Sequence, residues 1–249
     1  MESKSKKQRT RLSAEKRKKA IVMAALPVFA ERGFRGTTTR DLAGAARVSE
    51  ALLYRHFPSK EELYSHIQEE ICQSNNGLGD YMSELEPGTS AVVKYLFIIF
   101  RIVASLQSDH SLGSSVHRMM IQSLLEDGKF TRSFHEPRFN KILPLMEEAL
   151  RVSQQKGDLV PGPLTHKERQ WFPHHVAVAL RLAHFPEEPV FDYGADTARL
   201  LQDALWFSLR GIGLTDAAIE KHLDIGSLDE EIRPVLIEAG LLNASAPPL

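Results

Sequence analysis

The sequence predicts an all-α protein. Apolar residues recur with the spacing of amphipathic helices through most of the 249 residues, and no segment shows the strict alternation that is typical of a half-buried strand. Ser or Thr precedes several of these segments, as is common at helix starts. With 43% apolar residues, the chain is long enough to bury a substantial core in one or two domains.

The composition argues against membrane and secreted classes of protein. Lys94 and Arg101 interrupt the longest apolar run, residues 92–106, so a membrane span is not expected. The N-terminus lacks the apolar segment of a signal peptide. Cys72 is the single cysteine, which excludes an intrachain disulfide and a cysteine-rich zinc site. We therefore expect a cytoplasmic protein.

Charge is distributed unevenly along the chain. Residues 1–65 contain 15 Lys and Arg against 7 Asp and Glu, whereas residues 66–249 contain 16 against 25. A basic segment of this density is expected in a protein that binds a polyanion such as DNA. The alternative for residues 1–15 is a flexible, solubilising arm.

The first helix is expected to begin after Ser13 and to end at Gly33. Its apolar stripe includes Ile21, Ala25 and Phe29. Pro27 conflicts with this pattern, because a proline inside a helix removes a hydrogen-bond donor and costs roughly 3 kcal/mol. We expect a kink at Pro27 or a later helix start.

The next three helices have recognisable starts. Thr38 or Thr39 can cap a short helix through residue 46, and Ser49 can cap a second one that ends near residue 57. Ser59 and Glu62 have the spacing of a capping box for a further helix through residue 71. Two short helices joined by three or four residues, inside a three-helix unit, outline a helix-turn-helix.

The second short helix has two different sides. At 100° per residue, Leu53 and Phe57 lie together and face the core. The opposite side presents Ala51, Leu52, Tyr54 and Arg55, with His56 at its edge. In a major groove, an arginine can reach guanine, a small apolar side chain can touch a thymine methyl, and tyrosine or histidine can hold phosphates. For Tyr54 or Arg55 taken alone, an ordinary position on the surface of an amphipathic helix is the alternative.

Two pieces of this region carry a specific pattern, ALPVFAERGFRGTTTRDLAGAARVS and LLYRHFPSKEELYSHI. Residues 16–71 thereby resemble the DNA-binding domain of the TetR family of bacterial transcriptional regulators. The resemblance implies that Thr39 and Arg40 contact the DNA backbone and a base, that Tyr54, His56 and Lys60 hold phosphates, and that Leu52 and Arg55 read bases. The expected DNA-binding residues are Thr39, Arg40, Arg47, Ser49, Ala51, Leu52, Tyr54, Arg55, His56 and Lys60.

The sequence departs from the family pattern at two positions. Arg47 stands in the turn where the family usually has Gly, so either Arg47 takes a positive φ or the turn is altered. Glu50 lies near the start of the second short helix, where its negative charge interacts favourably with the helix dipole. Its carboxylate either repels phosphate or accepts a hydrogen bond from a cytosine amino group.

The rest of the chain is expected to be helical. The predicted helices cover residues 89–107, 112–126, 131–155, 167–183, 195–211, 216–223 and 229–242, with Pro144 and Pro173 bending or delimiting theirs. Residues 74–88 look like a polar connector. The expected division is a basic arm at 1–15, a helix-turn-helix domain at 16–71 and a larger helical domain at 72–249.

The resemblance implies that residues 72–249 bind an unknown small-molecule effector and form a homodimer through two late helices. The expected pocket residues are Phe97, Phe100, His117, Met120, Met146, Trp171 and His175. The expected dimer residues are Val176, Leu180, Leu201, Leu205 and Leu209. For both sets, ordinary core packing is the alternative.

No pattern indicates a catalytic, metal or cofactor site. His110, His117, His174, His175 and His184 lack metal-ligand spacing, and no nucleophile motif or phosphate loop occurs. The expected function is a repressor that binds a near-palindromic double-stranded DNA operator and leaves it when the effector binds. The alternatives are an enzyme with an appended helix-turn-helix and a DNA-binding protein that responds to no ligand. Cys72 is expected to be inert packing rather than a redox switch.

Overall fold

The structure, a computed structural model, describes residues 13–73, 76–105, 112–186, 188, 190–246 and 248–249. This part of the chain contains twelve helices: α1 Ala14–Gly36, α2 Thr39–Ala46, α3 Glu50–His56, α4 Lys60–Gln73, α5 Asn76–Glu84, α6 Thr89–Ser105, α7 Leu112–Leu125, α8 Lys129–Gln155, α9 His166–Ala183, α10 Thr197–Gly211, α11 Asp216–His222 and α12 Ile225–Glu238. The described residues include no β-strand and one isolated bridge, between Leu159 and Leu214. The all-α prediction is confirmed.

The helices form two compact units. The first contains α1 to α4 as far as Glu70, together with Ser115–Phe130, which includes most of α7 and the first two residues of α8. The second contains Ile71–Ser114 and Thr131–Leu249. The sequence did not indicate that part of α7 packs with the N-terminal helices. Among the described helices, none is long and apolar enough to cross a bilayer.

The first helix begins and ends as its sequence indicates. The Ser13 hydroxyl accepts a hydrogen bond from the Lys16 N–H at 3.3 Å, and the backbone leaves helical geometry at Gly33, with φ 68°. Pro27 lies inside α1 with helical dihedral angles, so the expected kink or later start is not observed there. Buried residues on both sides of the proline, such as Leu26 and Phe29, hold the helix against its neighbours.

Local caps define α2 and α3. Thr38 and Asp41 form a capping box, in which the Thr38 hydroxyl accepts from the Asp41 N–H at 3.2 Å and the Asp41 carboxylate accepts from the Thr38 N–H at 3.0 Å. The Ser49 hydroxyl accepts from the Leu52 N–H at 3.2 Å. Both helix starts therefore agree with the sequence.

Arg47 makes the turn between α2 and α3 in a left-handed conformation, with φ 53° and ψ 43°. Its N–H donates to the Gly44 carbonyl, and the next N–H, of Val48, donates to the Ala43 carbonyl. These bonds complete the end of α2 as a glycine in this position would. The turn is therefore unaltered, and Arg47 carries the positive φ.

The core of the first unit lies under these helices. Leu42, Leu53, Phe57, Leu63 and Ile67 are buried against α1 residues such as Phe29. Aromatic rings extend this core to the start of α8. The ring centroids of Phe29 and Tyr64 are 5.0 Å apart, and those of Tyr64 and Phe130 are 5.1 Å apart. Phe130, the second residue of α8, thus adds to the aromatic packing of the N-terminal helices.

The second unit is built around α6. Its residues Val92, Leu96, Phe97 and Phe100 are buried among side chains of α8 to α12. Helix α5 lies where the sequence suggested a polar connector. Two glycines weaken its pattern, but Leu78, Tyr81, Met82 and Leu85 share one helical face and pack against this core. Pro144 and Pro173 both lie within their helices, α8 and α9.

Ionic contacts fix α12 against α5 and α6. The Arg101 Nε donates to the Asp229 carboxylate at 2.6 Å, and both side chains are buried. Nearby, the Glu231 carboxylate accepts from Tyr81 at 2.9 Å and from Lys94 at 2.6 Å. A buried charge pair is strongly destabilised when one partner is removed, so the Arg101–Asp229 pair restricts how α6 and α12 can pack.

A cluster of rings joins α8 to α9, which we call the imidazole cluster: His135, Phe139, Trp171, His174 and His175. The Phe139 and Trp171 ring centroids are 4.1 Å apart, and His174 lies 5.2 Å from His135 and 5.7 Å from His175. Burial, followed by the two neighbouring imidazoles, lowers the pKa of His174 to about 3. His174 is therefore neutral in the folded protein at neutral pH.

Replacing Arg47 by Gly should stabilise the α2–α3 turn by about 0.5 to 1 kcal/mol, because glycine adopts positive φ without the strain of a side chain. Hydrogen exchange of the α2 and α3 amides should slow accordingly. Arg47→Ala is the matched control, since it removes the same charge and keeps the strain. Equal protection in both variants would contradict the strain at Arg47.

Acidification should destabilise the second unit through His174. This histidine titrates near 6.5 when unfolded and near 3 when folded, so its contribution to stability is complete above pH 6.5 and is lost as the pH falls towards 3. Between pH 7.5 and 5.5 the free energy of unfolding of the wild type should therefore fall because His174 resists protonation. In His174→Gln this fall should be smaller by about 1 kcal/mol.

The measurement is urea unfolding followed by Trp171 fluorescence in a Trp206→Phe background, because the chain has two tryptophans. His175→Gln, which changes an exposed member of the imidazole cluster, is the control and should keep most of the pH dependence. An unchanged pH dependence in His174→Gln would show that other groups cause it.

Candidate nucleic-acid interface

The orientation of α3 decides which side chains can meet a partner. Leu53 and Phe57 are buried, as the helical geometry predicted. On the opposite side, Tyr54 is 44% exposed and Arg55 is exposed. We call Ala51, Leu52, Tyr54 and Arg55 the outer face of α3.

The ten expected DNA-binding residues all lie in the first unit, in or beside α2, α3 and the start of α4. Six have exposed side chains: Arg40, Arg47, Ser49, Ala51, Tyr54 and Arg55. Four are half-buried: Thr39, Leu52, His56 and Lys60. Ser49 also caps α3 through its hydroxyl, so its first role is structural.

Three arginines give this surface uncompensated positive charge. Arg40, Arg47 and Arg55 are exposed, and none of them takes part in the ion pairs found among the described residues. Guanidinium groups bind phosphate oxygens and the guanine edge in a two-pronged geometry. The arrangement is therefore suited to a nucleic acid.

Lys60 has partners that the sequence did not indicate. Its ammonium donates to the Phe34 carbonyl at 2.8 Å and to the Thr37 carbonyl at 3.0 Å, and it lies 4.3 Å from the centroid of the Phe34 ring. These contacts tie the start of α4 to the end of α1. Two of the three ammonium hydrogens are thus used inside the protein, and one remains for a phosphate.

Glu50 is linked to α2. Its carboxylate Oε2 accepts a hydrogen bond from the Thr39 hydroxyl at 3.2 Å. Thr39 is the first residue of α2 and Glu50 is the first residue of α3, so this bond joins the two helix starts. The sequence marked both residues separately, but only the fold shows that they touch.

The tip of α7 meets the end of α1 inside the first unit. The Arg35 N–H donates to the Glu126 carboxylate at 3.5 Å, and a side chain at Gly33 would come within 3.1 Å of the same carboxylate. Burial, with the carboxylates of Glu126 and Asp127, raises the pKa of Tyr64. The end of α1, which precedes the helix-turn-helix, is thus in contact with Glu126, the residue that follows α7.

The expected pocket residues do not form one described site. Phe97, Phe100 and Met146 are buried in the core of the second unit, where Trp171 is half-buried and His175 is exposed. His117 and Met120 belong to α7 and the first unit. An apolar sequence pattern predicts burial of aromatic and methionine side chains whether they line a pocket or pack in the core. The pattern therefore could not distinguish pocket residues from core residues.

Two surface grooves in the second unit are lined by other residues. One, of about 450 Å³, lies beside Val160, Phe207, Arg210 and Leu214. The other, of about 660 Å³, lies between α12 and the C-terminal residues Pro248 and Leu249. None of the seven expected pocket residues lines either groove.

The expected dimer residues on α10 need correction. Leu201, Leu205 and Leu209 are buried inside the protomer, so they are not available to a partner chain. The exposed side of α10 instead carries Trp206 and Phe207, which are 48% and 62% exposed. On α9, the expected residues Val176 and Leu180 are half-buried and pack against the core.

The described residues contain no group of three or more His, Cys, Asp or Glu placed to hold a metal ion. His110 and the Cys72 side chain lie outside what the structure describes. His184 is placed by a 2.7 Å contact between its Nδ1 and the Leu180 carbonyl.

Comparison with known proteins matches the helix-turn-helix region. The model of the family described as "Bacterial regulatory proteins, tetR family" matches residues 21–67. The transcriptional regulator LuxR of Vibrio harveyi is 40% identical over 81 residues, which are 32% of this chain and 40% of LuxR. The transcriptional repressor KstR2 of Rhodococcus jostii is 27% identical over 115 residues, which are 46% of this chain and 55% of KstR2. The chain thus covers about half the length of these relatives.

The fold extends the similarity beyond the matched segment. The crystal structure of AibR in complex with isovaleryl coenzyme A and operator DNA has a TM-score of 0.57 to this chain at 18% identity, covering 80% of this chain and 100% of AibR. This chain and AibR therefore share a fold. The sequence similarity to the TetR family of bacterial regulatory proteins thus lies in residues 21–67, which include the helix-turn-helix.

Proposed function

We propose that the chain is a cytoplasmic, homodimeric transcriptional repressor that binds a near-palindromic operator and is released by a small molecule. The DNA-binding role is supported chiefly by the outer face of α3, which points away from the core because Leu53 and Phe57 are buried. Capped helix starts fix its position. KstR2 is named a transcriptional repressor, which supports the direction of regulation.

In this proposal, α3 enters the major groove. Arg55 reaches the O6 and N7 atoms of a guanine, and Ala51 or Leu52 touches a thymine methyl. Tyr54 and His56 hold phosphates. Thr39, Arg40 and Arg47 lie along the same surface, where the start of α2 and two guanidinium groups favour an anion.

A homodimer would present two copies of α3 to successive major grooves. The exposed pair Trp206 and Phe207 on α10 supports this surface as the interface, because large exposed aromatic side chains are typical of interface centres. An isologous dimer of this kind requires an operator with twofold symmetry.

Release by a ligand is supported by AibR, whose structure contains both isovaleryl coenzyme A and operator DNA. In this chain, α4 runs from the helix-turn-helix into the second unit, since the boundary between the units falls at Glu70 and Ile71 within α4. A ligand that displaces α4 would change the separation of the two α3 helices. By linkage, DNA would weaken ligand binding by the same factor.

Changes on the outer face of α3 should separate base reading from phosphate binding. Arg55→Ala should reduce discrimination between operator and random DNA by about 1 to 3 kcal/mol, because a base contact is lost. Tyr54→Phe removes one hydroxyl and should weaken both duplexes alike, by roughly threefold to tenfold. Fluorescence anisotropy with an operator selected from random duplexes measures both effects. A uniform loss in Arg55→Ala would make Arg55 a phosphate contact, and failure of the wild type to select any sequence would contradict the proposed function.

A charge in the exposed face of α10 should disrupt the dimer. Phe207→Asp places a carboxylate in the proposed apolar interface and should raise the dimer dissociation constant by about 30-fold or more. Sedimentation equilibrium measures this change, and circular dichroism checks that the fold is kept. Leu125→Asp is the control, since Leu125 is 76% exposed on α7 in the first unit. A dimer of unchanged affinity in Phe207→Asp would place the interface elsewhere.

A further inference from the structure

Glu50 puts a carboxylate on a surface that is otherwise positive. It is the first residue of α3, its side chain is exposed, and it takes part in none of the ion pairs among the described residues. Arg40, Arg47 and Arg55 are exposed on the same pair of helices and their connecting turn. A carboxylate several ångströms from a phosphate is repelled by it, so Glu50 weakens every DNA complex unless its charge is compensated.

The Thr39 hydroxyl fixes where this carboxylate lies. Oε2 accepts the Thr39 proton at 3.2 Å, which restrains an otherwise flexible side chain. Oε1 and the remaining lone pairs stay open to a further donor. Thr39 has one hydroxyl proton, so while it donates to Glu50 its hydroxyl can only accept from other groups. The pair therefore presents an oriented acceptor beside the outer face of α3.

In a major groove, an oriented carboxylate distinguishes bases by their exocyclic groups. The N4 amino group of cytosine donates a hydrogen bond and has no acceptor beside it on the major-groove edge. The N6 amino group of adenine also donates, but the adjacent N7 acceptor repels a carboxylate, and guanine O6 and thymine O4 only accept and repel it. Such a group therefore opposes most sequences and favours one.

We propose that Glu50, positioned by Thr39, is a sequence-reading residue that selects cytosine through its N4 amino group. This inference rests on the proposed DNA-binding function. Glu50 makes the operator preference sharper at the expense of general affinity. Arg55 on the same helix favours a guanine, so the two side chains select base pairs through opposite charge.

The test uses the full chain and selection from a random duplex pool, followed by affinity measurements on all single-base variants of the selected operator. The wild type should select a cytosine at one position in each half-site and prefer it by about tenfold or more over other bases. Glu50→Ala should reduce that preference to less than about threefold and bind random DNA more tightly. Thr39→Val, which keeps the shape and removes the hydroxyl, should weaken the preference at the same position.

Glu61→Ala is the matched control. Glu61 is an exposed acid in the first turn of α4, so this change removes an equal charge from another helix start. It should leave every base preference unchanged. Circular dichroism melting confirms that each variant is folded.

Two results would overturn the inference while leaving DNA binding intact. In the first, Glu50→Ala binds all sequences more tightly with the selected operator unchanged, which would make Glu50 a general repulsive charge. In the second, the preference lost in Glu50→Ala is for a base other than cytosine. If the wild type selects no sequence at all, the proposed function itself fails.

Discussion

The burial of Leu53 and Phe57 is the interaction on which the outer face of α3, the proposed DNA-reading surface, depends. A helix of seven residues is not stable alone in water, so α3 exists because these two side chains are held in the core. Each contributes about 1.5 to 3 kcal/mol when fully buried. A rotation of α3 by one residue would expose one of them and bury Tyr54 or Arg55. Apolar packing, rather than any contact made by the polar groups, therefore orients the outer face of α3 towards solvent.

Burial of apolar side chains also orients α10 in the second unit, but there it leaves aromatic side chains exposed. One side of α10 places Leu201, Leu205 and Leu209 in the core, and the buried Arg101–Asp229 pair restricts the packing of α6 beneath it. The other side keeps Trp206 and Phe207 in solvent. These two exposed aromatic side chains are the reason for proposing this side of α10 as the dimer surface.

Local features of this fold were predictable from sequence because their causes are local. Capping by Thr38 and Ser49 and the positive φ at Arg47 each involve residues within four positions of one another. The outward side of α3 followed from helical geometry alone. Contacts between distant segments were not predictable in this way. Periodicity marked the α10 leucines as an apolar stripe but did not show that the protomer itself covers them.

Three other differences have the same origin. Helix α5 was missed because its two glycines obscured four apolar residues whose partners lie on helices far along the chain. Pro27 stays helical because packing on both sides of it outweighs a lost hydrogen bond. The association of Ser115–Phe130 with the N-terminal helices depends on contacts such as Tyr64 with Phe130, which are 66 positions apart. The sequence pattern identifies the apolar face of a helix, but not the distant segment against which that face packs.

The contacts of Lys60 have a consequence for ionic strength. The affinity of a protein for DNA falls with added salt in proportion to the number of phosphates that its cations neutralise. The Phe34 and Thr37 carbonyls and the Phe34 ring hold the Lys60 ammonium in place, so it can neutralise a phosphate only where one comes to that position. The number of basic residues near α3 therefore overstates how strongly salt will weaken the proposed complex with DNA. Within α2, α3 and their connecting turn, the three exposed arginines, Arg40, Arg47 and Arg55, should account for most of the dependence of affinity on salt.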